Sequence, residues 1–212
     1  MDSNGNYLFK VLVVGCCAAG KTCCIRKAVS NQFTTEYKTT IGVDFAAKTI
    51  KLRIKDKDVN VCIQFWDIAG QEYYSQLSRA YYKGAYGCFI VSDLTSDSLC
   101  QDIKTWKDEV KSKVMLPSSD EPVPTILLCN KIDLPKAKDI WERDETRQQI
   151  DSLQMDEVIA TSAVTGQGLD EAMTLMAKKI IAKLEGKPQS GLSPIVIPLD
   201  EPEMQVKPKS CC

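Results

Sequence analysis

Residues 7–14, YLFKVLVV, form an apolar, β-branched run of the kind that predicts a buried strand. A glycine-rich loop follows, and residues 21–29 read as a short helix. Residues 30–42 are polar and threonine-rich, which predicts an exposed loop. From 45 to 54 apolar and polar positions alternate, as in a strand with one wet face. After a turn at 55–58 the alternation resumes over 59–66, VNVCIQFW, so the two runs read as a hairpin. Short apolar runs at 85–91 and 125–129 are of the buried-strand type, and 158–160 is a short candidate for the last strand. Helical spacing fits 99–110, 141–153 and 169–184; in the last, Leu169, Ala172, Met173, Leu175, Met176, Ile180 and Leu184 recur at spacings of three and four. Strands alternating with helices imply a mostly parallel sheet covered on both faces. From Glu185 onward the pattern stops. Five of the nine prolines fall there, at 188, 194, 198, 202 and 208, which predicts an extended, disordered tail.

Composition narrows the chemistry. The 212 residues are enough for one sizeable α/β domain or two small ones, and 44% hydrophobic with 26% charged content is ordinary for a soluble globular chain. A net charge of −1 gives no basic field to favour nucleic acid. No run approaches 18 apolar residues, so no membrane span is expected. The first residues, MDSNGNYLFK, lack a basic stretch followed by an apolar one, so no secretory signal is expected. In a reducing cytosol the ten cysteines are expected as free thiols. There is no histidine, which excludes Ser-His-Asp and Cys-His catalysis and removes the commonest zinc ligand. An enzyme built from this chain must rely on positioning, charge and a metal held through oxygen.

The loop GCCAAGKT at 15–22 fits Gly-x-x-x-x-Gly-Lys-Thr between a strand and a helix. Successive backbone N–H groups and the helix N-terminus make an anion cradle there. In it Lys21 reaches β- and γ-phosphates and the Thr22 hydroxyl ligates Mg²⁺. WDIAGQE at 66–72 closes a strand. Asp67 is expected to approach Mg²⁺ through water, Gly70 to offer its N–H to the γ-phosphate, and Gln71 to orient an attacking water. NKID at 130–133 follows another strand, and Asp133 can accept from both guanine N1–H and the exocyclic amine, a donor pair adenine lacks. TSA at 161–163 follows the last strand, and its N–H groups can meet guanine O6. All four segments fall at strand C-terminal ends, where open α/β sheets bind ligands.

These motifs, with IGVDF at 41–45, YYKGA at 81–85 and the final Cys-Cys, resemble a small GTPase of the Ras superfamily, and within it a Rab. The resemblance implies the P-loop small-GTPase fold, a mostly parallel six-stranded sheet with one antiparallel edge strand and helices on both faces. It divides the chain into a GTP-binding domain, 1–184, and a hypervariable tail, 185–212. It implies a slowly GTP-hydrolysing switch in vesicle traffic, with 36–42 and 67–82 held by the γ-phosphate and Mg²⁺. Around the nucleotide it adds Cys17, Ala18, Ala19 and Cys23 of the phosphate loop, Phe33 packed on the guanine, Thr40 closing on Mg²⁺ and γ-phosphate, Asn130, Lys131, Ser162, Ala163 and Val164. Gln71 is the catalytic position and Thr22, Thr40 and Asp67 the metal positions. Ile41, Phe45, Trp66 and Tyr81 form the partner surface. The implied partners are effectors, an exchange factor, a GTPase-activating protein, an escort protein and a GDP-dissociation inhibitor, around a monomer that cycles between cytosol and the cytosolic face of an intracellular membrane. Ile68 and the stretch MLPSSDEPVPTILLCNKIDL at 115–134 are similar to the Rab subgroup serving lysosome-related organelles.

Cys211 and Cys212 match the Rab ending that takes two geranylgeranyl groups. The tail carries three lysines against four acids, and one lipid gives only about 10⁴ M⁻¹ of membrane affinity, so the second lipid has to supply the rest. Three departures stand out: Tyr73 for the usual arginine, Val164 for a lysine that covers the base, and the Cys17-Ala18 pair in the phosphate loop. The four cysteines at 16, 17, 23 and 24 form no C-x₂-C pair, which argues against zinc. The helix N-terminus and Lys21 are expected to lower the thiol pKa of Cys16, Cys17 or Cys23, with bound nucleotide opposing this. A different class also fits the motifs, a nucleotide-binding membrane scaffold with negligible turnover; a P-loop kinase lacks a second acceptor site and conflicts with NKID.

Overall fold

The structure, a computed structural model, describes residues 6–34, 40, 42–69, 78–117, 119 and 121–186. Six strands, β1 (Asn6–Val14), β2 (Val43–Ile54), β3 (Lys57–Ile68), β4 (Gly87–Asp93), β5 (Thr125–Asn130) and β6 (Glu157–Ala160), make one sheet in the order β2-β3-β1-β4-β5-β6. Only β2 runs antiparallel to its neighbour, as the hairpin pattern predicts; all other pairs are parallel. Of the β2 side chains only Leu52 is buried, which explains the alternating edge pattern.

The continuous apolar runs are strands buried on both faces. Val11 and Val13 of β1, Phe89 and Val91 of β4, and Ile126 and Leu128 of β5 face helices α1 (Lys21–Ser30) and α6 (Leu169–Glu185). The intervening Leu12, Val14, Cys88, Ile90, Leu127 and Cys129 face the other layer, built mainly on α3 (Leu99–Lys113). Strands β1, β4 and β5 thus each carry two hydrophobic sets, and the C-terminal ends of β1, β3, β5 and β6 deliver the four sequence motifs to the same edge of the sheet.

Two local expectations change. The helix expected over 141–153 is α5 (Asp144–Ser152), which starts three residues later, and the helix ahead of it, α4 (Pro135–Trp141), was not expected. Pro135 opens α4, where its missing N–H is harmless, and Arg143, extended at φ −74° and ψ 127°, separates the pair. Helix α4 buries one side chain, Ala137, too few to set a period. The five-residue α2 (Ser78–Tyr82) was not expected, being too short to display helical spacing. Helix α6 continues one residue past the expected domain boundary, to Glu185.

Candidate functional site

The phosphate loop has its shape for steric reasons. Gly15 sits at φ +142°, and a Cβ there would lie 2.1 Å from the Val91 carbonyl oxygen of β4. Gly20, at φ +97°, faces the Asn130 amide, which a Cβ would approach to 2.3 Å. Both motif glycines are therefore demanded by neighbouring strands as well as by the turn. Ala18 takes a left-handed φ of 60°, a conformation a non-glycine residue adopts at a cost, at the exposed tip of the loop. Lys21, only 6% exposed, points back along the loop and donates to the carbonyls of Gly15 (2.9 Å) and Cys16 (3.0 Å). An ammonium has three protons; these bonds take two and leave one for an anion in the loop. Burial pulls the Lys21 pKa down, and Asp67 opposes this.

Thr22, Thr40 and Asp67 come from three separate elements and meet. The hydroxyls of Thr22 and Thr40 are 2.8 Å apart, and Thr22 donates to Asp67 Oδ2 in a short hydrogen bond. Asp67 is 3% exposed, and its Oδ1 has no hydrogen-bond partner among the described residues. Burial raises the Asp67 pKa, with the Thr22 hydroxyl and Lys21 pulling the other way. A buried carboxylate oxygen left without a donor, beside two hydroxyls, is a hard all-oxygen set that fits Mg²⁺ held by one carboxylate and phosphates.

On the base side the loops after β5 and β6 are tied to each other. Asn130, 1% exposed, donates to the Ala19 carbonyl (2.9 Å) and accepts from the Ala163 N–H (3.2 Å) and the Thr161 hydroxyl (3.5 Å). One side chain thus joins the loop after β1 to the loops after β5 and β6. Ser162 donates to Asp133 Oδ1 (2.6 Å), and the Val164 and Thr165 N–H groups donate back to the Ser162 hydroxyl. Asp133 itself is exposed, as an acceptor for a ligand must be. Lys131 is in the left-handed region, φ 71°, and its ammonium pairs with Asp93 Oδ2 at 2.6 Å. Asp93 also accepts from the Thr95 N–H and hydroxyl, and although burial pushes its pKa up, Lys131 and Thr95 hold it below the usual range. Sequence reasoning missed Asp93: it lies outside every motif, and its acid-then-threonine signal two residues apart is common in turns. Phe33 and Val164 are both exposed, at 40% and 44%.

Of the residues expected to face partners, Phe45, Trp66 and Tyr81 are described. Phe45 of β2 is directly opposite Trp66 of β3, and the rings meet edge to face at 4.5 Å with Phe45 59% exposed. Trp66 and Tyr81 are partly buried against the same apolar cluster. Ile41, Gly70, Gln71, Cys211 and Cys212 lie outside the described residues, as does Tyr73.

The cysteine expectation is corrected in part. Burial raises the Cys16 thiol pKa instead of lowering it, overriding the Lys21 charge, because α3 packs over this side chain. Burial also raises Cys24, which faces the core beneath α1. The described cysteines are free thiols, Cys17 is exposed and Cys23 partly buried. No cluster of metal-ligating His, Cys, Asp or Glu side chains occurs among the described residues. A maleimide is therefore expected to label Cys17 first and Cys16 more slowly, and to leave Cys24 unmodified in folded protein. Peptide mapping over a time course checks this, and early labelling of Cys24 would contradict the packing.

A sequence model of the Ras family matches residues 10–182. The chain is similar to the Ras-related protein Rab-32 of Mus musculus, 36% identical over 210 residues that cover 97% of this chain and 90% of that protein. It is similar to the Ras-related protein Rab-7L1 of Rattus norvegicus, 38% identical over 180 residues, 83% of each. With the Ras-related protein Rab-32A of Dictyostelium discoideum it shares 44% identity over 135 residues, 64% of this chain and 60% of that protein.

Proposed function

Since this chain belongs to the Ras family as a Rab-type small GTPase, we propose that its phosphate loop, base loops and Thr22–Thr40–Asp67 cluster together form one guanine-nucleotide site. As a member of that family it binds guanine nucleotide, hydrolyses GTP and acts as a switch in membrane traffic. The Rab-32 and Rab-7L1 relatives also support the resemblance to the subgroup serving lysosome-related organelles. No helix among the described residues is long and apolar enough to cross a membrane.

The observation that carries the site reading is the Thr22–Thr40 contact at 2.8 Å. It supports a reading in which a γ-phosphate holds Thr40 at the phosphate loop and phosphate loss releases it. The loop N–H groups and the third Lys21 proton receive the β- and γ-phosphates. Asp133 accepts from the guanine N1–H and amine, and Ser162 and Asn130 hold the surrounding loops. Thr22, Thr40 and Asp67 would hold Mg²⁺, which when bound neutralises charge on the β- and γ-phosphate oxygens. Gly70 donates its N–H to the γ-phosphate and Gln71 orients the attacking water. Residues 1–184 form the nucleotide-binding unit and 185–212 a tail anchored through lipids on Cys211 and Cys212. Effectors meet Ile41, Phe45, Trp66 and Tyr81 in the GTP state. An exchange factor, a GTPase-activating protein, an escort protein and a GDP-dissociation inhibitor cycle the monomer between cytosol and the cytosolic membrane face.

Single-turnover hydrolysis of GTP tests the active switch. Gln71→Leu is expected to slow phosphate release by roughly 10²-fold, the lower end for loss of a group positioned in the transition state. An unchanged rate would favour a scaffold with negligible turnover, in which Cys17 at the exposed loop tip obstructs the water's approach.

A further inference from the structure

Lys10 stands among the apolar residues of β1, on the face that also carries Leu12 and, across the β1–β3 pairing, Trp66. Its ammonium sits 3.5 Å from the centre of the Trp66 ring and donates to the Lys83 carbonyl at 2.8 Å. The Lys10 backbone carbonyl accepts from the Tyr86 N–H, also at 2.8 Å. One residue of the central sheet therefore holds the connection between α2 and β4 at two points and caps the tryptophan ring at a third. Tyr81 lies two residues before Lys83 and packs against the same cluster as Trp66 and Val43. No carboxylate pairs with Lys10 among the described residues. Loss of water is the cause that lowers its pKa, to about 8. The aromatic face attracts the cation and the carbonyl accepts from it, which together offset part of the cost of removing the charge from water.

We propose that Lys10 is a positioning residue of the partner surface, whose ammonium fixes the Trp66 ring against the segment after α2 and so sets the spacing of Trp66 and Tyr81. The inference rests on the reading of Phe45, Trp66 and Tyr81 as partner-facing. A neutral side chain of the same length fills the space but holds neither the ring face nor the carbonyl. An arginine does both, because a guanidinium stacks on indoles and donates through a planar fork.

The test uses the full chain loaded with GDP and observed by NMR, with no partner present. In the native protein the ring current of Trp66 is expected to move the Lys10 ε-methylene protons upfield of those of every other lysine, and Trp66→Leu is expected to abolish the displacement. In Lys10→Met the Trp66 indole and Lys83 carbonyl-carbon signals are expected to move, and in Lys10→Arg to return towards native positions. Retention of GDP by the methionine variant establishes that it is folded. Native ε-protons at ordinary lysine positions overturn the proposal. So does a methionine variant in which the Trp66 and Lys83 signals stay in place. These signals belong to the protein alone, so they stand or fall separately from the partner reading, which fails if Phe45→Ala leaves binding of effector proteins intact.

Discussion

Replacing Asp133 with asparagine is expected to weaken GTP and GDP binding by about 10²–10⁴-fold and to turn the preference towards xanthine nucleotides. The carboxylate offers two oxygens to two guanine donors; Ser162 occupies one position on Oδ1 and leaves further acceptor sites free. An asparagine amide accepts at its oxygen but presents N–H groups on the other side, where they face a guanine donor. Each charge-assisted bond is worth about 1.5–3 kcal/mol, and two of them give the stated range. Xanthine carries an oxygen in place of the exocyclic amine, so the asparagine can donate to it. Competition of GTP, ITP, XTP and ATP for the purified protein measures the effect. ATP competing as well as GTP with the native chain would remove the assignment of Asp133 as the base selector.

The second large effect is expected at Asn130. Asn130→Ala leaves the Ala19 carbonyl and the Ala163 N–H without their side-chain partner, both on buried residues. An unpaired buried group costs about 1–3 kcal/mol, so with two such groups the variant should lose roughly 2–6 kcal/mol of stability. GDP dissociation should accelerate at least tenfold, because the phosphate loop and the base loop are no longer held to each other. Thr161→Val is the graded control: it removes only the long 3.5 Å bond and should cost far less. Thermal unfolding and release of a fluorescent GDP analogue report the two effects separately. A native melting temperature with fast release would assign Asn130 to the ligand alone, and native values of both would remove it from the site.

Part of this was legible in the chain. Gly15, Gly20, Lys21 and Thr22 announce an anion loop because the residues that form it are adjacent in sequence. The two-faced burial of 11–14, 87–91 and 126–129 shows as apolar runs, and the wet edge of β2 as alternation. Helix α4 was hidden, since its seven residues bury one side chain, Ala137, which defines no period. Asp93 was hidden too, because its partner Lys131 is 38 residues away. The thiolate expected at Cys16, Cys17 or Cys23 fails at Cys16 for the same class of reason: α1 and Lys21 were visible from the sequence, whereas the burial beneath α3 was not.

By itself the sequence determined which groups are available: a glycine-shaped loop after the first strand, an acid able to select guanine, hydroxyls and a carboxylate suited to a hard cation, and no histidine to do other chemistry. Local backbone geometry and side-chain identity suffice for that. Only the tertiary structure decided which groups meet. Thr22 reaches Asp67 across 45 residues and Asn130 reaches Ala19 across 111, and Lys10 lies on Trp66 because β1 pairs with β3 in one register. Those meetings follow from strand order and from burial, which removes water and makes each polar group find a partner or wait for a ligand. No local pattern encodes them, since each depends on two stretches of chain that are brought together only when the core packs.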